Sequence, residues 1–228
     1  MQVNLEPALF WEENSVRVWI SPLNQSPEVL HTLRQTLSVG EHERAARYRL
    51  PQMADAFIVR RGMLRVLLGK ELGCLPSSLH FDYNPFGKPI LASRALSFSV
   101  SSSRDYSVWA FSSALPIGVD IEWINPEMPR TALMEDYFSS TERKYLNEMK
   151  GEAERTDAFF RTWTGKEACA KAAGTGFAAP LNRYAILEAH ETTIETTQGP
   201  FTVKSRAFLP KPAKVSYWMS FGLAPLKT

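Results

Sequence analysis

The sequence predicts a mixed fold of two similar halves, each combining short strands with one long helix. Three observations carry that expectation. Short β-branched and aromatic runs alternate with stretches at helical spacing. The segments DAFIVRRGMLRVLLGKELG (55–73) and DAFFRTWTGKEACAKAAGTG (157–176) both open on Asp-Ala-Phe, continue as helix and close on glycine. The aromatic runs YSVWAF (106–111) and VSYWMSF (215–221) add a weaker echo of the same kind. No linker-like, low-complexity segment separates the halves, so one compact unit is expected, with residues 1–112 as its N-terminal half and 113–228 as its C-terminal half.

Each element has its own signal. VRVWISPL (16–23) reads as a strand running into a turn. From Ser26 to Leu37 an early Pro27, with Leu30, Leu33 and Leu37 at helical spacing, predicts a helix. A longer helix follows from Met53 to Leu72, its apolar face supplied by Phe57, Ile58, Met63, Leu64, Leu67 and Leu68 and its end set by Gly73. LHFDYNPFGKPIL (79–91) reads as two strands about an Asn-Pro-Phe-Gly turn. LSFSVSSS (96–103) and SVWAFSSALPIGVDIEWI (107–124) give further strands. Residues 130–150 are helical and charged, and a helix from Asp157 to Ala173 ends at Gly174-Thr175-Gly176. The chain then returns to strands in RYAILEA, TTIETT, FTVKSRAF and VSYWMSF.

Composition excludes several classes of function. With 228 residues, 44% hydrophobic and 22% charged, the chain has the make-up of a globular protein. It has no apolar run of the ~20 residues a bilayer span requires, and no basic-then-apolar leader is evident. Cys74 and Cys169 lie far apart and form no metal-ligand pattern, so a reducing cytoplasm is expected. His31, His42, His80 and His190 are scattered and are assigned no role. A net charge of +2 is too small to argue for nucleic acid as a partner. The charge is local instead: Arg44, Arg47, Arg49, Arg60, Arg61, Arg65 and Lys70 are joined by one acid, Asp55, which suits an anionic ligand or an acidic protein.

The stretch GVDIEWI (118–124) places Asp120 and Glu122 on one face of a strand whose other face carries Val119 and Ile121. Two like charges side by side repel, and burial adds to the cost; a cation between them offsets both. Glu167 and Lys171, four residues apart, share one helical face. Asp120, Glu122 and Glu167 together would give an oxygen-only site of the kind that suits Mg²⁺ and a phosphate-bearing substrate. Lys171 would then reach a phosphate sharing the ion. Cys169, between them on the helix, reads as a small core residue, and Trp163 as packing the helix inward.

These residues carry a resemblance. Arg44, Arg47-Tyr48, Arg65, Phe86-Gly87-Lys88-Pro89, Phe98 to Ser103, Gly118-Val119-Asp120-Ile121-Glu122, and Trp163-Thr164-Gly165-Lys166-Glu167-Ala168 with Lys171, Gly174 and Gly176 resemble an Sfp-type (surfactin-type) 4′-phosphopantetheinyl transferase over nearly the whole chain. The resemblance implies an α+β pseudo-dimer of two similar halves, each a small, mainly antiparallel sheet packed with a long helix, with coenzyme A between them. It implies Mg²⁺-dependent transfer (Mn²⁺ as substitute) of phosphopantetheine from coenzyme A to a serine of an acyl, peptidyl or aryl carrier protein, releasing 3′,5′-ADP. Asp120, Glu122 and Glu167 would be the metal ligands; Glu167, Lys171 and Asp120 would be catalytic, Glu167 doubling as base. Coenzyme A would meet Arg44, Gly87, Lys88, Pro89, Ser101, Ser102 and Lys171. A cytoplasmic monomer is implied, with neither nucleic acid nor membrane as partner.

One position departs from the pattern. The family's Phe-Asn-x-Ser-His-Ser is here Phe98-Ser99-Val100-Ser101-Ser102-Ser103, so Ser102 stands where the family has a histidine that contacts coenzyme A phosphates. A charge-assisted bond contributes ~1.5–3 kcal/mol against ~0.5–1.5 for a neutral one. The exchange predicts coenzyme A binding weaker by about ten-fold. The competing expectations are an enzyme acting on another nucleotide diphosphate, and a coenzyme A- or carrier-binding homologue with lost or altered catalysis.

Overall fold

The computed structural model describes residues 7–178, 180–187, 191–196, 199–208 and 216–224. Strands β1 (Ala8–Glu13) and β2 (Val16–Pro22) pair antiparallel, and three helices follow: α1 (Pro27–Arg34), α2 (Val39–Ala46) and α3 (Pro51–Leu72). A short hairpin of β3 (Phe81–Tyr83) and β4 (Pro89–Leu91) leads to β5 (Ser97–Ser103), β6 (Tyr106–Ser112) and β7 (Ile117–Trp123). Helices α4 (Arg130–Tyr137), α5 (Ser140–Glu148) and α6 (Glu152–Ala173) precede β8 (Glu191–Thr196), β9 (Gly199–Phe208) and β10 (Tyr217–Leu223).

Two four-stranded antiparallel sheets result, ordered β1-β2-β6-β5 and β7-β10-β9-β8. They share an apolar layer of Val16, Val18, Ile20, Val108 and Ala110 against Val119, Ile121, Tyr217, Met219 and Phe221. On its outer face the first sheet buries Phe98, Trp109 and Phe111 against Ile58, Leu64 and Leu68 of α3. Helix α6 lies across β7, β10 and β9 of the second. The order β2-β6-β5 about α3 matches β7-β10-β9 about α6. Both helices run for 22 residues and end on a glycine in the left-handed region, Gly73 (φ 64°) and Gly174 (φ 72°). The internal echo in the sequence therefore falls on topologically matched helices and strands.

The differences from expectation have local causes. Helix α2, which carries Arg44, was not expected; its mark is the capping box of Ser38 and Glu41, each side chain bonded to the other's backbone N–H. Residues 130–150 form two helices, because Ser139 and Glu142 cap a new start for α5. RYAILEA is not a strand over its described part, 183–187; residues 188 and 189 lie outside the described residues. Its backbone is bonded to side chains instead. Lys166 Nζ donates to the carbonyls of Leu181 and Tyr184, Thr162 Oγ1 to that of Ile186, and Ile186 N to Glu142 Oε1. These bonds take the carbonyls of Tyr184 and Ile186 and the N–H of Ile186, groups that a ladder would otherwise use.

Gly118 is what lets α6 approach β7. A Cβ there would lie 2.0 Å from the Ala168 carbonyl oxygen and 2.3 Å from Ala172 N, both backbone atoms that cannot swing aside. Overpacking typically costs ~1–3 kcal/mol, and a backbone-on-backbone clash belongs at or beyond the upper end. Gly118→Ala is therefore expected to lower the unfolding free energy measured in urea by at least that much; a variant as stable as the parent would contradict this packing.

Candidate active site

Strand β7 directs Val119 and Ile121 into the layer between the sheets and Asp120 and Glu122 toward α6. The alternation expected from the sequence holds, and Asp120 is 3% exposed. Helix α6 brings Lys171 to it: Lys171 Nζ stands 2.6 Å from Asp120 Oδ1. The opposite oxygen, Asp120 Oδ2, is buried without a hydrogen-bond partner. Glu122 receives a bond from Ser103 Oγ at 2.8 Å and another from the side chain of Trp163. Trp163 thus packs on Tyr137 and Phe138, as the sequence suggests, and also orients a carboxylate.

Strand β5 meets β7 through side chains. The hydroxyls of Ser97, Ser99 and Ser103 accept from the backbone N–H groups of Ile117, Val119 and Trp123 at 3.0, 3.1 and 3.0 Å. The constant offset along both strands means that they run in the same direction. Ser101, the remaining member of this alternating set, instead donates to Asp120 Oδ1 and accepts from Lys171 Nζ, both at 2.8 Å. The seam between the halves therefore opens into the acidic cluster at Ser101.

Electrostatics sets this cluster apart. Burial, and then the charge of Asp120, pushes both the Glu122 and Glu167 carboxyls up to about 7. Lys171 opposes the rise in each case. As the side chains stand, Asp120 is engaged by Lys171 and Glu122 by Ser103 and Trp163, and among the described residues no three acidic, cysteine or histidine side chains close on one point. The donor set nonetheless fits a hard divalent cation: all oxygens, mutually repelling, partly desolvated, with one buried carboxylate oxygen unpartnered. Cys169 is buried, and burial pushes its thiol up to about 12, which suits a core residue and not a nucleophile.

Beside the cluster is a cleft of about 390 Å³ lined by Arg44, Tyr48, Arg60, Pro89, Ser101 and Ser102, among others. It gathers four of the residues expected to meet coenzyme A. Arg60, named in the basic run, and Tyr48, named in the Arg47-Tyr48 motif, join them, although neither was among the residues assigned to coenzyme A. Arg65 of that run is turned inward, its guanidinium bonded to Glu41 and to the carbonyls of Pro76 and Leu79. Gly87 (φ 82°) makes the β3–β4 turn. Lys88 is placed differently from Arg44 and Ser102: its ammonium donates to the carbonyls of Ile117 and Lys171 at 2.9 and 2.6 Å. Lys166, next to Glu167 in sequence, is fully buried on the other side of α6 and pairs with Glu142 at 2.9 Å.

Residues 116–218, which carry β7, α6 and the acidic cluster, match the family model of the 4′-phosphopantetheinyl transferase superfamily. The chain is 36% identical over 176 residues to the 4′-phosphopantetheinyl transferase HetI of Nostoc, covering 75% of this chain and 74% of that one. It is 35% identical over 170 residues to a putative 4′-phosphopantetheinyl transferase, slr0495, of Synechocystis, covering 73% and 68%. A 4′-phosphopantetheinyl transferase of Bacillus subtilis is 30% identical over 151 residues, with 66% of each chain covered. The chain belongs to the 4′-phosphopantetheinyl transferase superfamily.

The raised carboxyls have a consequence for stability. Glu122 and Glu167 bind a proton more tightly folded than unfolded, so their contribution is full at low pH. It is lost as pH rises from the ordinary value of 4.5 through about 7. Glu167→Gln removes one of the two titrations and is expected to flatten the fall in unfolding free energy of the metal-free protein across that range. A slope identical to the parent's would place the Glu167 carboxylate in water.

Proposed function

We propose that the protein is a holo-carrier-protein synthase, transferring 4′-phosphopantetheine from coenzyme A to a serine of an acyl, peptidyl or aryl carrier protein. The observation that carries this reading is the contact of Lys171 on α6 with Asp120 on β7, with Glu167 near enough to feel the charge of both, beside an arginine-lined cleft. In the reaction the serine Oγ–phosphorus bond forms, the bond from that phosphorus to the pyrophosphate bridging oxygen breaks, and 3′,5′-ADP leaves with the electron pair. Asp120, Glu122 and Glu167 would hold Mg²⁺, with Mn²⁺ as substitute. When bound, the ion neutralises pyrophosphate oxygens and the leaving phosphate. Lys171 Nζ adds a positive charge at the same phosphates. Glu167, held by burial near neutrality, accepts the serine proton, directly or through a water. Arg44 and Arg60 supply charge for the 3′-phosphate within the cleft. The same reading takes residues 1–112 as the half that meets coenzyme A and 113–228 as the half that holds the metal, in a cytoplasmic monomer. Among the described residues no helix is long and apolar enough to cross a membrane.

Intact-protein mass of apo carrier proteins, incubated with this protein, coenzyme A and Mg²⁺, is expected to rise by one phosphopantetheine, and Glu167→Ala is expected to abolish the gain. Coenzyme A bound in calorimetry without any gain on acyl, peptidyl or aryl carriers would favour the alternative that Ser102 suggests, a binding homologue that has lost turnover.

Ser102 lines the cleft beside Arg44, so a histidine there would face the same anionic groups. Ser102→His is expected to tighten coenzyme A binding about ten-fold at a pH where the imidazole is protonated. Equal affinity in the two forms would mean that Arg60 already supplies the missing charge.

A further inference from the structure

The β3–β4 hairpin belongs to the N-terminal half by sequence, yet its turn is fastened to the end of α6. Asn84 Nδ2 donates to the Gly174 carbonyl at 2.7 Å, while its Oδ1 accepts from Phe86 N and Lys88 N and so fixes the turn. Lys88 Nζ reaches past it to the Lys171 carbonyl at 2.6 Å and the Ile117 carbonyl at 2.9 Å. The first of these belongs to the residue whose own ammonium contacts Asp120, and the second lies three residues before Asp120 on β7. One ammonium therefore ties together the backbones that present Lys171 and Asp120. Burial holds it down to about 8, with the Lys171 charge adding to the effect, so the carbonyls are its compensation for lost water. Lys88 lines the cavity shared with Asn84, Pro116 and Gly174, whereas Arg44, Arg60 and Ser102 line the neighbouring cleft.

We infer that Lys88 is a positioning residue for the transfer reaction, acting through Lys171 by clamping the last turn of α6 onto the start of β7, with Asn84 as the second point of the clamp. This inference rests on the reading under Proposed function. A displacement of about 1 Å in a reacting constellation can lower the rate by about 10²-fold. Lysine fits the position because its long stem crosses the hairpin while three donors remain at its end. A direct contact to coenzyme A phosphate would need the same ammonium to leave both carbonyls.

A double-mutant cycle tests the inference, with wild-type transfer to a carrier as its first reading. If the wild-type protein modifies no carrier, the proposed function fails and the clamp is not at issue. With wild type active, Lys88→Met is expected to lower kcat/KM by ~10–100-fold in the parent and by less than about three-fold in a Lys171→Met background. Equal losses in the two backgrounds would overturn the inference and assign Lys88 to coenzyme A itself; no loss in the parent would overturn it and leave Lys88 without a part in the reaction. Should Lys88→Met fail to fold, Asn84→Asp carries the same cycle. It keeps the acceptor that holds the turn and replaces the donor to Gly174 with an oxygen, and the same two outcomes decide.

Discussion

Everything at the site depends on how closely α6 can lie on β7. The contact is made where β7 has no side chain, at Gly118, with Gly222 opposite it on β10 also in contact with the backbone about Ala168. That approach leaves no room for water between helix and strand. It brings Lys171 within hydrogen-bond distance of Asp120 and removes Glu122 and Glu167 far enough from solvent to change their proton affinity. A wider helix-on-sheet spacing would leave the same four residues as solvated surface charges, with little chemistry to offer.

The neighbouring residues Lys166 and Glu167 show how helical phase separates stability from reactivity. Lys166 is sealed between α5 and the irregular segment that follows α6, held by Glu142 and two carbonyls. Such a pair is strongly destabilising to break, at ~3–5 kcal/mol, because the remaining charge stays buried. It anchors the outer face of α6 while the inner face carries Glu167 and Lys171. Burial costs the inner groups stability, and the outer pair and the apolar rows around Phe159, Phe160 and Trp163 offset it. A helix held only by its inner, carboxylate-bearing face would be pushed outward by the repulsion among the carboxylates.

Much of this could be read in the sequence, and the rest was hidden for definable reasons. Asp120 and Glu122 were legible because strand alternation fixes which residues share a face, and Glu167 with Lys171 because helical spacing does the same. Ser101 and Ser103 were legible as a polar run, but not as the seam joining two sheet edges, since that depends on which strand lies beside β5. Helix α2 was missed because its eight residues hold no large apolar side chain but the exposed Val39; only the Ser38–Glu41 pair marks it. The strand expected over 183–189 failed across its described part, 183–187, for the converse reason. Its composition is that of a strand, and tertiary contacts from Lys166, Thr162 and Glu142 took the backbone groups that a ladder needs.

The two halves meet with unequal duties, although their topology is alike. In the first, α3 lies on β2, β6 and β5 over large apolar side chains such as Trp109 and Phe111, and its inward arginines, Arg61 and Arg65, share a salt bridge with Glu41. In the second, the matched helix lies over glycines and a serine, Ser220, bonded to Thr164. Packing on bulky side chains favours stability, and packing on small ones favours close approach with polar groups between. The first half can therefore serve as a rigid wall, lending Ser101, Ser103 and the hairpin lysine to a site whose acidic residues all stand on the second. The price of that division is a seam made of side-chain hydroxyls instead of a backbone ladder, and it is at that seam that the acidic cluster opens.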